Sequence, residues 1–254
     1  MKNAGIWCVA LLLTWSAAAS SKEATPALTL SKGARIGVVT LLDPEVRHYH
    51  ASNNIQDSFL KTLPVQWAVD AMFFDAVKQR LTQMDLEVVA VTPSDGLLRG
   101  RQEFFVDGSV SRGLSGPCAD EFTRMAAADH VDAFVVLVPG VNDSGHAGSA
   151  RRKDLPDYLR GWGFMTKAEQ PAAPPPVFNM TQVLLVSGTG GTALLRAREW
   201  GGGYADTWSA YTPPPDLKNI PDTALDSLKP IFSGLIGRQA SRVFDQILVV
   251  GGGR

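Results

Sequence analysis

Arg35-Ile36-Gly37-Val38-Val39-Thr40-Leu41-Leu42 is a nearly unbroken apolar run that stops at Asp43-Pro44. A strand with one wet face alternates apolar and polar residues; this one does not, so it is expected to be covered on both faces, as in a parallel sheet. A second strand follows at Leu86-Glu87-Val88-Val89-Ala90-Val91, stopped by Thr92-Pro93, and another buried one at Asp132-Ala133-Phe134-Val135-Val136-Leu137-Val138, ended by Pro139-Gly140. Helical patterns lie between these runs. From Pro64, a residue suited to a first helical turn, Val65, Ala68, Val69, Met72, Phe73, Ala76, Val77, Leu81 and Met84 recur at three- and four-residue spacing. Residues 117–130 give a shorter helix with Phe122, Met125 and Ala126 inward, and a weaker third element falls near Gln102–Val106. Residues 43–61, polar and rich in Asn, read as irregular strand or loop.

The second half changes character. Residues 140–176 hold Arg151-Arg152-Lys153, Trp162, Phe164 and Pro174-Pro175-Pro176, and form an insertion longer than ordinary connections. Val177–Val186 and Thr192–Arg198 flank Ser187-Gly188-Thr189-Gly190-Gly191, which reads as a β-hairpin with a glycine-rich turn. After Gly201-Gly202-Gly203 come Tyr204, Trp208 and Tyr211, then a closing amphipathic block from Asp222 that Pro230 is expected to kink or split. Residues 247–250 either continue that helix or add a strand. The fold class is α/β: a mixed β-sheet with helices packed on it, a late hairpin and a closing amphipathic helix.

The amino terminus sets the compartment. Lys2, the apolar stretch Gly5–Thr14 and Ser16-Ala17-Ala18-Ala19 have the layout of a secretory signal peptide occupying residues 1–19. The apolar run is about ten residues, against roughly 20 for a spanning helix, so a membrane anchor is not expected. Residues 20–33 then form a flexible leader, and residues 34–250 a single α/β domain. Export predicts a periplasmic or secreted protein.

The 254-residue chain carries 24 Lys+Arg, 25 Asp+Glu and 45% hydrophobic residues. A balanced charge gives no basic footprint for nucleic acid. Cleavage after Ala19 leaves Cys118 as the sole cysteine, so no internal disulfide supports the fold. The order of elements, from the Ile36-Gly37-Val38-Val39 strand through the long helix, second strand, late hairpin and closing helix, resembles a group of exported bacterial domains. These include the amino-terminal domain of TolB and the lipoprotein activators of penicillin-binding proteins. The resemblance implies a non-catalytic envelope protein working through protein contacts. The activators carry a lipobox cysteine after the small residues; Ser20-Ser21 stand here instead.

Several constellations bear on chemistry. Ser187–Gly191 lacks the Lys-Ser/Thr of a phosphate loop, since Thr192-Ala193 follow. His48 and His50 would share one face of a strand, with Asp43 and Glu45 nearby, which makes a thin metal-site pattern. At a helix start, Cys118 would have its thiol acidified, with His130 or His146 as base. No G-x-S-x-G elbow occurs. The preferred reading is therefore a binding protein with no cofactor, metal or catalytic residue. Its partner would be another envelope protein or a cell-wall component, contacted through Arg151, Arg152, Trp162, Phe164, Trp200, Tyr204, Trp208 and Tyr211. The alternative is a periplasmic hydrolase or metal-dependent enzyme using Cys118 or His48/His50.

Overall fold

The computed structural model describes residues 28–106, 114, 116–140, 160–191, 193–198 and 204–251. The strands are β1 (Leu28–Ser31), β2 (Arg35–Thr40), β3 (Glu45–Ala51), β4 (Phe59–Pro64), β5 (Glu87–Ala90), β6 (Ala133–Val138), β7 (Trp162–Lys167), β8 (Pro176–Asn179), β9 (Gln182–Ser187), β10 (Ala193–Arg198), β11 (Tyr204–Thr207) and β12 (Ile247–Val250). The helices are α1 (Val69–Thr82), α2 (Asp95–Val106), α3 (Gly116–Asp129), α4 (Asp222–Leu225) and α5 (Lys229–Phe244). The fold is α/β with mixed sheets, as the sequence implies.

Two five-stranded sheets carry the architecture. The first has the order β10-β9-β6-β2-β5, with β5, β2 and β6 parallel and the β9–β10 hairpin antiparallel beside them. Its unbroken apolar runs are explained by helices on both faces. Ile36, Val38, Val135, Leu137, Val183 and Leu185 pack with Phe73, Val77 and Leu81 of α1 and Phe232, Leu235 and Ile236 of α5. The alternate residues Val39, Phe134, Val136, Val138, Leu184 and Val186 pack with Leu97 of α2 and Cys118, Phe122 and Met125 of α3.

The second sheet has the order β11-β8-β7-β3-β4. The chain changes sheet five times, at β2–β3, β4–β5, β6–β7, β8–β9 and β10–β11. Val46, Leu63, Trp162, Phe164 and Val177 of the second sheet belong to the same apolar cluster as Ile36 and Phe232. The inner faces of both sheets therefore share one core. Where β8 turns into β9, the buried Gln239 side chain of α5 donates to the Thr181 carbonyl oxygen at 2.8 Å, pinning the corner.

Several expectations change. Residues 45–64 form the β3–β4 hairpin rather than irregular structure. Its alternation is disguised in the sequence because two inward positions are histidines. Pro64 ends β4 instead of opening a helix, and α1 begins at Val69. Since β4 lies at a sheet edge, a residue without N–H is tolerated there. The weak element near 102–106 is the end of α2, whose glycines at 96 and 100 lower its helix propensity; the Ser94 hydroxyl caps its start by accepting from the Leu97 N–H.

The expected leader contributes β1, because Leu28 and Leu30 pair in parallel register with Ile247 and Val249 of β12; residues 247–250 are thus a strand. The 140–176 insertion contains β7, and residues 141–159 within it lie outside the described residues. Val177–Val186 divides into β8 and β9. The closing block is split as expected, into α4, a 3-10 turn over residues 226–228 and α5, and Pro230 stands in the first turn of α5, where no partner is needed for its nitrogen.

The glycine-rich turn between β9 and β10 has the expected geometry. Gly190 and Gly191 have φ of 76° and 55°. A Cβ on Gly191 would lie 2.1 Å from the Ala119 carbonyl oxygen of α3, so both backbone conformation and close approach require glycine. Gly191→Val is expected to destabilise the protein by roughly 1–3 kcal/mol or more, read as a lowered urea midpoint. An unchanged midpoint would contradict the turn.

Candidate functional site

Strand alternation places Val46, His48 and His50 on the inner face of β3. β7 runs parallel beside it in a register that sets His48 against Phe164 and His50 against Thr166. The Thr166 hydroxyl oxygen lies 2.8 Å from His48 Nε2 and 2.8 Å from His50 Nδ1. One hydroxyl proton serves two imidazoles, so Thr166 donates to one ring and accepts from the other. His48 Nδ1 is buried without a hydrogen-bond partner among the described residues, and the Leu217 backbone carbonyl favours the protonated ring.

Aromatic rings enclose the pair. His48 stacks on Phe164 with centroids 4.5 Å apart, and His50 stacks on Phe59 at 5.0 Å. Phe164 meets Trp208 edge-on at 5.0 Å, and Trp208 meets Tyr211 at 5.0 Å. Residues 208–220 lie over this layer. The Trp208 indole N–H donates to the Ser227 hydroxyl at 2.8 Å, and the Lys61 ammonium donates to the Lys218 carbonyl and to Asn219 Oδ1. Asp216 accepts from the Lys218 amide at 2.8 Å and from the Asn219 side chain.

Burial controls the chemistry. His48 is fully buried, and its pKa is lowered to about 3, first by desolvation, then by the positive charges that His50 and Lys61 would oppose to it. Burial also lowers His50, against the attraction of Glu169 and Asp57. Both rings are neutral near pH 7. Unfolding frees His48 to protonate near pH 6.5, so its contribution to stability is complete above that pH and shrinks as pH falls towards 3. At pH 4 the loss is about 3 kcal/mol. Urea unfolding at pH 7 and pH 4 is expected to show this extra loss in the wild type relative to His48→Phe; equal pH dependence in the two proteins would contradict it.

The metal pattern dissolves in the fold. Glu45 lies on the opposite face of β3 from both histidines, and its carboxylate accepts from Arg47. Among the described residues, no group of three or more His, Cys, Asp or Glu is placed to hold a metal ion. Nor do the histidines sit at an exposed edge, since β7 and residues 208–220 cover them.

Cys118 fares as a core residue. It is fully buried on α3, and desolvation, with the nearby Glu121 charge second, pushes its thiol up to about 12. The expected acidification by the helix start is outweighed, so the side chain is not a thiolate nucleophile in this fold.

The contact residues expected from the sequence separate into three groups. Trp162, Phe164, Trp208 and Tyr211 are buried and present no surface to a partner in this conformation. Their aromatic area is spent on the core: Trp162 packs 4.6 Å from Phe232 and donates its indole N–H to the Glu45 carbonyl. Tyr204 opens β11, opposite Phe178 of β8. Arg151, Arg152 and Trp200, like His146, lie outside the described residues. The sequence reading missed Thr166, Phe59 and Lys61, which only strand register brings to the histidines. Exposed apolar side chains occur at Leu98 of α2 and at Leu248 and Val250 of β12, the latter two on one outward face. No helix among the described residues is long and apolar enough to cross a membrane. In comparisons with known proteins, no family model, no curated protein and no solved structure matches the chain.

Proposed function

We propose that the protein is exported, with cleavage near Ala19, and acts in the cell envelope as a non-catalytic accessory protein that binds another envelope protein or a cell-wall component. One observation carries the reading: the side chains best suited to nucleophilic or acid–base chemistry are built into the interior. Cys118 is buried with its thiol pushed up to about 12, and His48 is buried and neutral. Catalysis needs such groups within reach of a substrate atom and poised near the working pH. The element order that resembles the TolB amino-terminal domain and the penicillin-binding-protein activators supports the same reading. Contacts then fall to other residues, with Arg151 and Arg152 as the charged candidates read from the sequence.

Amino-terminal sequencing of protein from the envelope fraction should begin near Ser20; a chain still starting at Met1 contradicts export. Affinity isolation from envelope extract, with a parallel peptidoglycan sedimentation, should recover one stoichiometric partner or co-sediment the protein. Arg151→Glu/Arg152→Glu should weaken that association while leaving the melting curve unchanged. If both arms are empty, and the protein hydrolyses ester or peptide substrates in a manner lost on Cys118→Ser or His50→Gln, the enzymatic reading replaces this one.

A further inference from the structure

Residues 208–220 cross the buried histidine pair with little to hold them. Trp208, Tyr211 and Ile220 are buried, whereas most of the intervening residues are exposed. The segment's backbone hydrogen bonds at Ser209, Tyr211 and Asn219 run to Thr207, Trp208 and Asp216, close by in the chain. Pro213, Pro214 and Pro215 have no N–H to offer. Attachment to the sheet runs through Trp208 at one end, whose amide donates to the Pro175 carbonyl at 2.9 Å and whose ring meets Phe164, and at the other through the Lys61 grip on Lys218 and Asn219 and the Lys218 ammonium 5.5 Å over the Phe59 ring. A segment with few buried contacts and few long-range backbone bonds opens more readily than the core beneath it.

The Lys61 grip is also the weak point. Lys61 stands directly opposite His48 in the β3–β4 register, so the ammonium that clamps the segment adjoins the imidazole that the segment covers. We propose that residues 208–220 form an acid-released strap: when a proton enters the His48/His50 pair, the strap lifts from the second sheet while the rest of the fold stays intact.

The groups around the pair set the direction. His48 faces His50 on its own strand, Lys61 and Phe59 on β4, Phe164 and Thr166 on β7, and the Leu217 carbonyl from the strap itself. His50 faces Thr166, Phe59, Glu169 beyond β7 and Asp57 before β4. A charge on His48 is therefore desolvated and lies beside the Lys61 cation. Opening hydrates the imidazole and relieves both costs, so protons favour the open strap. Glu169 and Asp57 partly stabilise a charge on His50, which makes His48 the principal trigger.

Amide hydrogen exchange of the full chain at pH 7 and pH 5, expressed as protection factors, tests this. Protection in 208–220 should fall on the order of tenfold at pH 5 while β6 keeps its protection. In His48→Phe, whose ring still stacks on Phe164 but cannot titrate, the pH effect should vanish. His50→Gln serves as second variant should His48→Phe fail to fold, and should reduce the effect. Equal protection at both pH values, a parallel fall in β6, or an undiminished pH effect in the variants would overturn the proposal.

Discussion

Gly163→Ala is expected to cost about 3 kcal/mol or more, a large effect for a single added methyl group. Gly163 lies on β7, the central strand of the second sheet. A Cβ there would stand 2.0 Å from the Arg47 carbonyl oxygen of β3 and 2.4 Å from Phe178 Cζ. Backbone cannot swing aside as a flexible side-chain end can, so β3 and β7 would have to separate. That separation would also break the register that delivers Thr166 to His48 and His50. Urea unfolding of the purified variant measures the loss, and a change below about 0.5 kcal/mol would refute the packing.

Phe232→Ala is the second large effect. Phe232 of α5 is fully buried between Trp162 at 4.6 Å and Trp67 at 5.9 Å. Both tryptophans are fixed from the far side: Trp162 donates to the Glu45 carbonyl at 2.6 Å, and Trp67 donates to Asp226 Oδ1 at 3.0 Å. Rings held in this way do not collapse into the space a deleted phenyl leaves. The expected cost is roughly 3–5 kcal/mol, or about 10 °C in the melting temperature at this chain length. A drop of only a degree or two would show that α5 does not close the core shared by the two sheets.

How far the sequence predicts this fold depends on where each signal is stored. The buried strands β2 and β6 and the stripe Val69, Phe73, Val77, Leu81 are local patterns, and the structure reproduces them. Glycine chemistry at residues 190–191 likewise names its turn without tertiary help. The β3–β4 hairpin escaped because His48 and His50 occupy inward positions, so a half-buried strand reads as polar. The β1–β12 pair was hidden by distance, since neither four-residue strand has meaning without the other.

The same distinction governs the site. The H-x-H spacing alone places both imidazoles on one face. Their environment is set by Thr166 and Phe164, more than a hundred residues away in the chain, and by the cover of residues 208–220. Aromatic residues clustered near glycine and proline suggest a binding groove. Trp208 and Tyr211 instead turn inward, because the indole N–H finds Ser227 and the rings complete the layer over Phe164.

The central claim is that the residues most suited to chemistry are interior, structural groups. The imidazole NMR signals of His48, followed from pH 8 to pH 3 and assigned by comparison with His48→Phe, test it most directly. The structure predicts a ring that stays neutral until pH falls below about 4. Titration of His48 in the folded protein near pH 6.5, the value of a solvated histidine, would contradict the account.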